Sequence, residues 1–152
     1  LITAPNADPG SAEARRRIDG FVAGHDNVVF HEALGARLYP SALRHASIMV
    51  GNSSSGIIEA GLFGLPVINV GGRQDGRERG ANVIECTATV DDVVEKLTNV
   101  PPRAAPFCPY GDGASAPRVA ASVTGTYDPT KLLYKRFAAA DAAGGVEFQA
   151  PW

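Results

Sequence analysis

Short apolar runs recur along the chain, each stopped by turn-forming residues. Residues 1–4 form the first run, ended by Pro5-Asn6, with turn chemistry continuing to Gly10. Ser11 then stands where a helix N-cap is expected, and Ile18, Phe21 and Val22 fall on one helical face. Residues 27–30 (NVVF) and 47–50 read as strands, and 38–46 between them as a short helix with Pro40 in its first turn. A helix is expected over 55–63, strands over 66–70 (PVINV) and 82–86 (NVIEC), and a helix opened by Thr89 and Asp92. Residues 101–109 carry four prolines and read as a linker. Two more helices are expected over 115–123 and 129–143, the second with Asp128 as N-cap and Pro129 at its first position, followed by a tail from 144 to 152. Strands alternating with helices predict βαβ units and a Rossmann-like parallel sheet.

Composition narrows the class. A chain of 152 residues with 45% hydrophobic and 20% charged positions is about the size of one globular domain. The net charge of -2 gives no reason to expect a nucleic-acid or anionic-membrane partner. No apolar run approaches the ~20 residues that span a bilayer, and no signal peptide is visible. The expectation is a cytoplasmic protein. Cys86 and Cys108 show no metal or redox spacing and read as ordinary thiols, a disulfide between them being the minor alternative. His25, His31 and His45 also lack ligand spacing, so neither a metal nor a cofactor is expected. The start LITAP, without an initiator methionine, reads as a strand and suggests a fragment of a longer polypeptide.

The candidate chemistry lies in GNSSSG, residues 51–56, between an apolar strand and a helix. In a parallel α/β sheet this is the carboxyl end of a strand, where ligands bind. First-turn N–H groups lack intrahelical partners and attract anions. Ser53 and Ser54 add hydroxyl donors near Asn52, and Gly56 would let a phosphate approach the backbone. The same residues also suit plain helix capping. The sequence is not a P-loop, since no lysine follows the glycine. Glu59, one turn on, could accept both hydroxyls of a ribose, or simply favour the first turn of the helix. Arg73 follows the next strand and could hold phosphate oxygens bidentately. Arg79 reads as a loop cation paired with Asp75 and Glu78, and Asp112 in YGDG as a ligand-orienting group or an ordinary turn residue.

GNSSSGIIEA, GLPVINVGGRQDGRERGANVI, PYGDG and PNADPGS together resemble the hydrolysing UDP-N-acetylglucosamine 2-epimerases, in register over residues 1–121. The resemblance implies the second half of a GT-B fold, in which two Rossmann-like domains face a cleft. Residues 1–124 would be a partial UDP-binding domain and 125–152 a C-terminal helix and tail. It further implies that Ser53 and Ser54 bind the diphosphate, Glu59 the ribose, and Arg73 a phosphate of the departing UDP, with Asn6 and Asp8 near the nucleotide. Asp112 and Gly113 match a motif near the return to the first domain, where Ala114 replaces a frequent Asn. The family's opening strand, its His-Pro motif and the following helix have no counterpart here. That strand would be central in an order of 3-2-1-4-5-6, so its loss implies a partner segment, a rearranged sheet or a gap.

The reaction implied is UDP-N-acetylglucosamine plus water to N-acetylmannosamine plus UDP, with most acid and base groups in an absent N-terminal domain and the parent a homo-oligomer. A fragment of this kind would be inactive alone. A UDP-diacetamido sugar as substrate stays open. So do two rivals: a GT-B glycosyltransferase donor domain, which EAGLFGLPVI also resembles, and a non-catalytic UDP-binding module.

Overall fold

A computed structural model describes residues 1–125, 128, 130, 139–140 and 146–147. The chain divides into two compact units, Leu1–Tyr110 and Gly111–Trp152. In the first, strands and helices alternate as β1 (Ile2–Thr3), α1 (Ser11–Ala23), β2 (Phe30–His31), α2 (Gly35–His45), β3 (Met49–Gly51), α3 (Ser54–Ile58), β4 (Val67–Val70), β5 (Val83–Cys86) and α4 (Val90–Thr98). All strand pairing in this unit is parallel, as the alternation predicts.

The pairing falls into two sheets, β1-β2 and β3-β4-β5. Among the described residues no strand pairs the two sheets together, and a gap separates β1 from β3. An apolar groove of about 610 Å³ lies there, lined from β1 by Ile2 and Thr3, from β3 by Met49 and Val50, and from α2 by Tyr39 and Leu43. Among the described residues each bordering strand has an edge that pairs with no other strand.

The core sits on β4, whose Val67, Ile68 and Asn69 are all buried. Leu65 and Ala60 are fully buried beside it, with Leu43 of α2. Burying such side chains contributes roughly 1.5–3 kcal/mol each for Val, Leu and Ile. Asn82 is buried too, and its Nδ2 donates to the Leu65 carbonyl at 2.9 Å, so no polar atom is stranded there.

Several expected boundaries shift. Ser11 is the first residue of α1, and the N-cap is Gly10 at φ 90°. Helix α1 buries none of its residues, and Phe21 is half exposed, because the two-residue strands of the small sheet offer little to pack on. Arg15 instead ties α1 to β2, with its guanidinium 4.4 Å from the Phe30 ring centroid and an ion pair to Glu32 at 2.6 Å. Helix α2 starts earlier than expected, so Pro40 lies inside it rather than in its first turn. The helix expected over 55–63 is two pieces: α3 ends at Ile58 with Glu59 as its C-cap, and a 3-10 turn covers Ala60–Phe63.

The proline-rich stretch is a packed strap, not a linker. Ala104 N–H donates to the Gly64 carbonyl at 3.0 Å and Phe107 N–H to the Gly61 carbonyl at 2.9 Å. A Cβ on Gly61 would meet Phe107 O at 2.4 Å, so this close backbone approach requires glycine. Arg103 donates to the carbonyls of Phe63 (2.7 Å), Leu43 (3.2 Å), Arg44 (2.8 Å) and Ala46 (2.5 Å). One guanidinium thus serves the last carbonyls of α2 and of the 3-10 turn.

In the second unit, α5 spans Ser115–Thr124 as expected. The helix expected over 129–143 lies largely outside the described residues, as does most of the tail. Where they are described, Ala139–Ala140 pairs antiparallel with Val146–Glu147 as β6 and β7, so the helix does not reach 140. Asp128 Oδ1 does accept from the Thr130 N–H at 3.0 Å, a capping contact. Among the described residues no helix is long and apolar enough to cross a membrane.

Candidate functional site

Parallel strands β3 and β4 end at the same rim, and the loops leaving them meet there. Gly51 closes β3, Asn52 follows, and Ser53 caps α3: its Oγ accepts from the Ser55 N–H at 3.3 Å. After β4 the chain turns at Gly71 into a 3-10 turn, Gly72–Gln74, that carries Arg73.

The Asn52 carbonyl joins the two loops. It accepts from Arg73 Nη1 at 3.2 Å and from Gln74 Nε2 at 2.8 Å. Arg73 Nη2 also lies 3.4 Å from Asp8 Oδ2, which brings in the loop after β1. With side chains 41% and 63% exposed, that ion pair is worth about 0–1 kcal/mol, so an incoming anion could displace the carboxylate. Ser53 is exposed and Ser54 half-buried, and neither hydroxyl donates to a protein group among the described residues. Asn52, Ser53, Ser54, Arg73 and Asp8 therefore share one rim. Asn6 is exposed on the β1 loop with no polar partner among the described residues.

Two expectations change. Gly56 is buried, its N–H donates to the Ser53 carbonyl at 3.1 Å, and a Cβ there would meet Val67 Cγ1 at 2.8 Å. Its missing side chain lets α3 pack on β4 and leaves no room for a ligand. The first turn is also poorer in free donors than expected. Ser55 N–H and Gly56 N–H are used by Ser53, and α3 has only five residues, so its dipole is short. Beside those occupied donors the rim carries the exposed Arg73 guanidinium and the hydroxyls of Ser53 and Ser54.

Glu59 sits exposed at the break between α3 and the 3-10 turn. Its Oε2 accepts from Ser55 Oγ at 2.5 Å, and Ser55 Oγ lies 2.5 Å from the Tyr39 hydroxyl. Sequence reasoning missed Tyr39 and Ser55 in this role, and it missed Gln74. Gln74 is buried with its Oε1 unpartnered among the described residues, and its backbone carbonyl accepts from Arg79 Nη2 at 3.0 Å. Glutamine directly after Arg73 inside a glycine-rich loop was the available signal. Arg79 pairs with Asp75 at 3.1 Å and lies 2.9 Å from Glu85, where Glu78 was expected as its second partner.

Asp112 belongs to the second unit. Its carboxylate takes both Arg118 Nη atoms at 2.9 Å and the Ala114 N–H at 2.9 Å. The Arg118 hydrogen bonds, then the backbone one, lower its pKa to about 2. Cys86 and Cys108 are free thiols, and burial raises the pKa of Cys86.

The profile of the UDP-N-acetylglucosamine 2-epimerase family matches residues 1–124. The chain belongs to that family. Among curated relatives of this epimerase-family chain, the UDP-N,N'-diacetylbacillosamine 2-epimerase (hydrolyzing) of Legionella pneumophila is 39% identical over 117 residues, which are 75% of this chain and 30% of the relative. The GDP/UDP-N,N'-diacetylbacillosamine 2-epimerase (hydrolyzing) of Campylobacter jejuni is 36% identical over 100 residues, 64% of this chain and 26% of that protein. The UDP-N-acetylglucosamine 2-epimerase of Neisseria meningitidis is 33% identical over 99 residues, 63% of this chain and 26% of that protein. The chain thus spans between a quarter and a third of the length of these family members.

Proposed function

We propose that this chain is the UDP-binding part of a cytoplasmic, hydrolysing UDP-sugar 2-epimerase of the GT-B type, acting on UDP-N-acetylglucosamine and water to give N-acetylmannosamine and UDP. The observation that carries the reading is the shared rim: Arg73, held to the Asn52 carbonyl at 3.2 Å, stands beside the free hydroxyls of Ser53 and Ser54. Two hydroxyl donors, a guanidinium and an exposed carboxylate at Glu59 match the phosphates and ribose of a nucleoside diphosphate.

In this reaction a base removes the C2 proton while the anomeric C–O bond breaks, releasing UDP and leaving a glycal. Water then adds across the double bond, its oxygen to C1 and a proton to C2 on the opposite face. The electrons of the broken bond end on the β-phosphate. Arg73, with Ser53 and Ser54, would stabilise that charge, each preorganised donor contributing on the order of 2.7–4 kcal/mol. None of these residues supplies the C2 base, which fits a second half of the site in an N-terminal domain. The groove between β1 and β3 supports the same reading, since one further parallel strand there would join both sheets into one. Membership of the epimerase family favours this reaction over glycosyl transfer. The 39% identical relative is a diacetylbacillosamine enzyme, so a UDP-diacetamido sugar is the second substrate reading.

Titration calorimetry with UDP tests the site: one molecule bound per chain is expected, and no heat with UDP would defeat the reading. Purified alone, the chain is expected to release no N-acetylmannosamine from UDP-N-acetylglucosamine. Turnover by the 152-residue protein would defeat the assignment of the base to another domain.

A further inference from the structure

Glu59 lies where α3 breaks, so no continuing helix fixes its side chain. A chain of hydroxyls fixes it instead. Ser55 Oγ donates to Glu59 Oε2 at 2.5 Å. A serine hydroxyl has one proton. With that proton directed at the carboxylate, the 2.5 Å contact to Tyr39 requires the tyrosine O–H to donate to Ser55 Oγ. The order is therefore Tyr39 to Ser55 to Glu59, with each donor polarising the next toward the negative charge. Tyr39 is itself held: it is half-buried on α2 and packs against the core cluster of Leu43, Ala60, Leu65 and Val67. Glu59 Oε1 has no protein partner among the described residues and remains available to an outside donor.

Resting on the nucleotide reading above, we infer that Tyr39 and Ser55 are positioning residues that hold the Glu59 carboxylate for the ribose hydroxyls and so set the preference for ribonucleotides over deoxyribonucleotides. The relay occupies one carboxylate oxygen and leaves the other without a protein partner among the described residues. Its geometry is settled before a nucleotide arrives, so little side-chain ordering remains for the binding step. A carboxylate freed from the relay would still be present, but without a fixed direction.

The test is titration of the 152-residue chain with UDP and with 2′-deoxy-UDP, in wild type, Tyr39→Phe, Ser55→Ala and Ser55→Thr. Wild type is expected to prefer UDP by about tenfold or more, the size of a hydrogen bond to a charged group. Tyr39→Phe keeps the packed ring and is expected to reduce that preference to within about threefold. Its affinity for 2′-deoxy-UDP should stay unchanged. Ser55→Ala should behave alike, and Ser55→Thr, which retains the hydroxyl, should restore the preference. General damage to the fold would weaken both nucleotides equally, and that result overturns the inference. So does a Tyr39→Phe variant with the wild-type preference, or a wild-type chain indifferent to the 2′-hydroxyl. A wild-type chain that binds neither nucleotide overturns the nucleotide reading itself, and this inference with it.

Discussion

Arg73 Nη1 stands 3.2 Å from the carbonyl oxygen of Asn52, so two loops separated by 21 residues are tied at the rim of the larger sheet. Gln74 reinforces the tie from below at 2.8 Å, while the Arg73 guanidinium stays exposed. The pair makes a divided arrangement: the buried neighbour fixes the backbone, and the exposed one keeps its charge available.

Arg73→Ala is expected to lower UDP affinity by about 10- to 100-fold, the loss of a charge-assisted contact. Its melting temperature should barely move, because the side chain is exposed and its ion pair with Asp8 is weak. Calorimetry and a thermal melt on the same sample check both halves.

Gln74→Met should show the reverse balance. It keeps the buried volume but removes the donor to Asn52, and leaving that carbonyl short of a partner is expected to cost about 1–3 kcal/mol of stability. Urea unfolding measures it. A variant as stable as wild type would show that Arg73 alone holds the loop.

Arg103→Met is expected to destabilise by about 1–3 kcal/mol, since one charged side chain serves four carbonyls. Gly64→Ala should act on the same strap. Gly64 has φ +58°, and a Cβ there would meet the Ala104 carbonyl oxygen at 2.0 Å, so a cost of about 1–3 kcal/mol follows. The two variants should be less than additive, because both loosen the strap from the 3-10 turn.

Asp92 and Asp112 predict the acid limb of stability. Thr87 holds Asp92 near pKa 2 through its hydroxyl and its N–H, and Arg118 holds Asp112 near 2. An unfolded aspartate titrates near about 3.9. Both folded values are depressed, so their contributions are fully present above about pH 4 and are lost as pH falls toward 2. Melting temperature followed over that range should fall less steeply in Asp92→Asn and Asp112→Asn than in wild type.

The strands were legible because each apolar run is short, rich in β-branched residues and bounded by turn formers. Their ends moved by one to three residues, as with 27–30 against Phe30–His31, where pairing with β1 and not composition decides. The rim was legible for the same reason: residues just after parallel strands must share one edge. What escaped was contact at long separation. Nothing in PPRAAPFCP announces that Arg103 reaches carbonyls 40 to 60 residues back. Nor does LYPS show that Tyr39 meets a serine 16 residues on. Gly56 was misread because a glycine after a serine run suits a ligand and a tight helix–sheet contact equally. Only the direction of its missing Cβ, toward Val67, separates them.

The gap between the two sheets has a practical consequence for anyone handling the protein. Two bare strand edges beside a greasy slot are a template for the wrong partner, another copy of the same chain. Concentrated solutions should therefore self-associate, and light scattering should rise with protein concentration. A lysine placed at Val50, half exposed on the slot's border, should suppress that scattering.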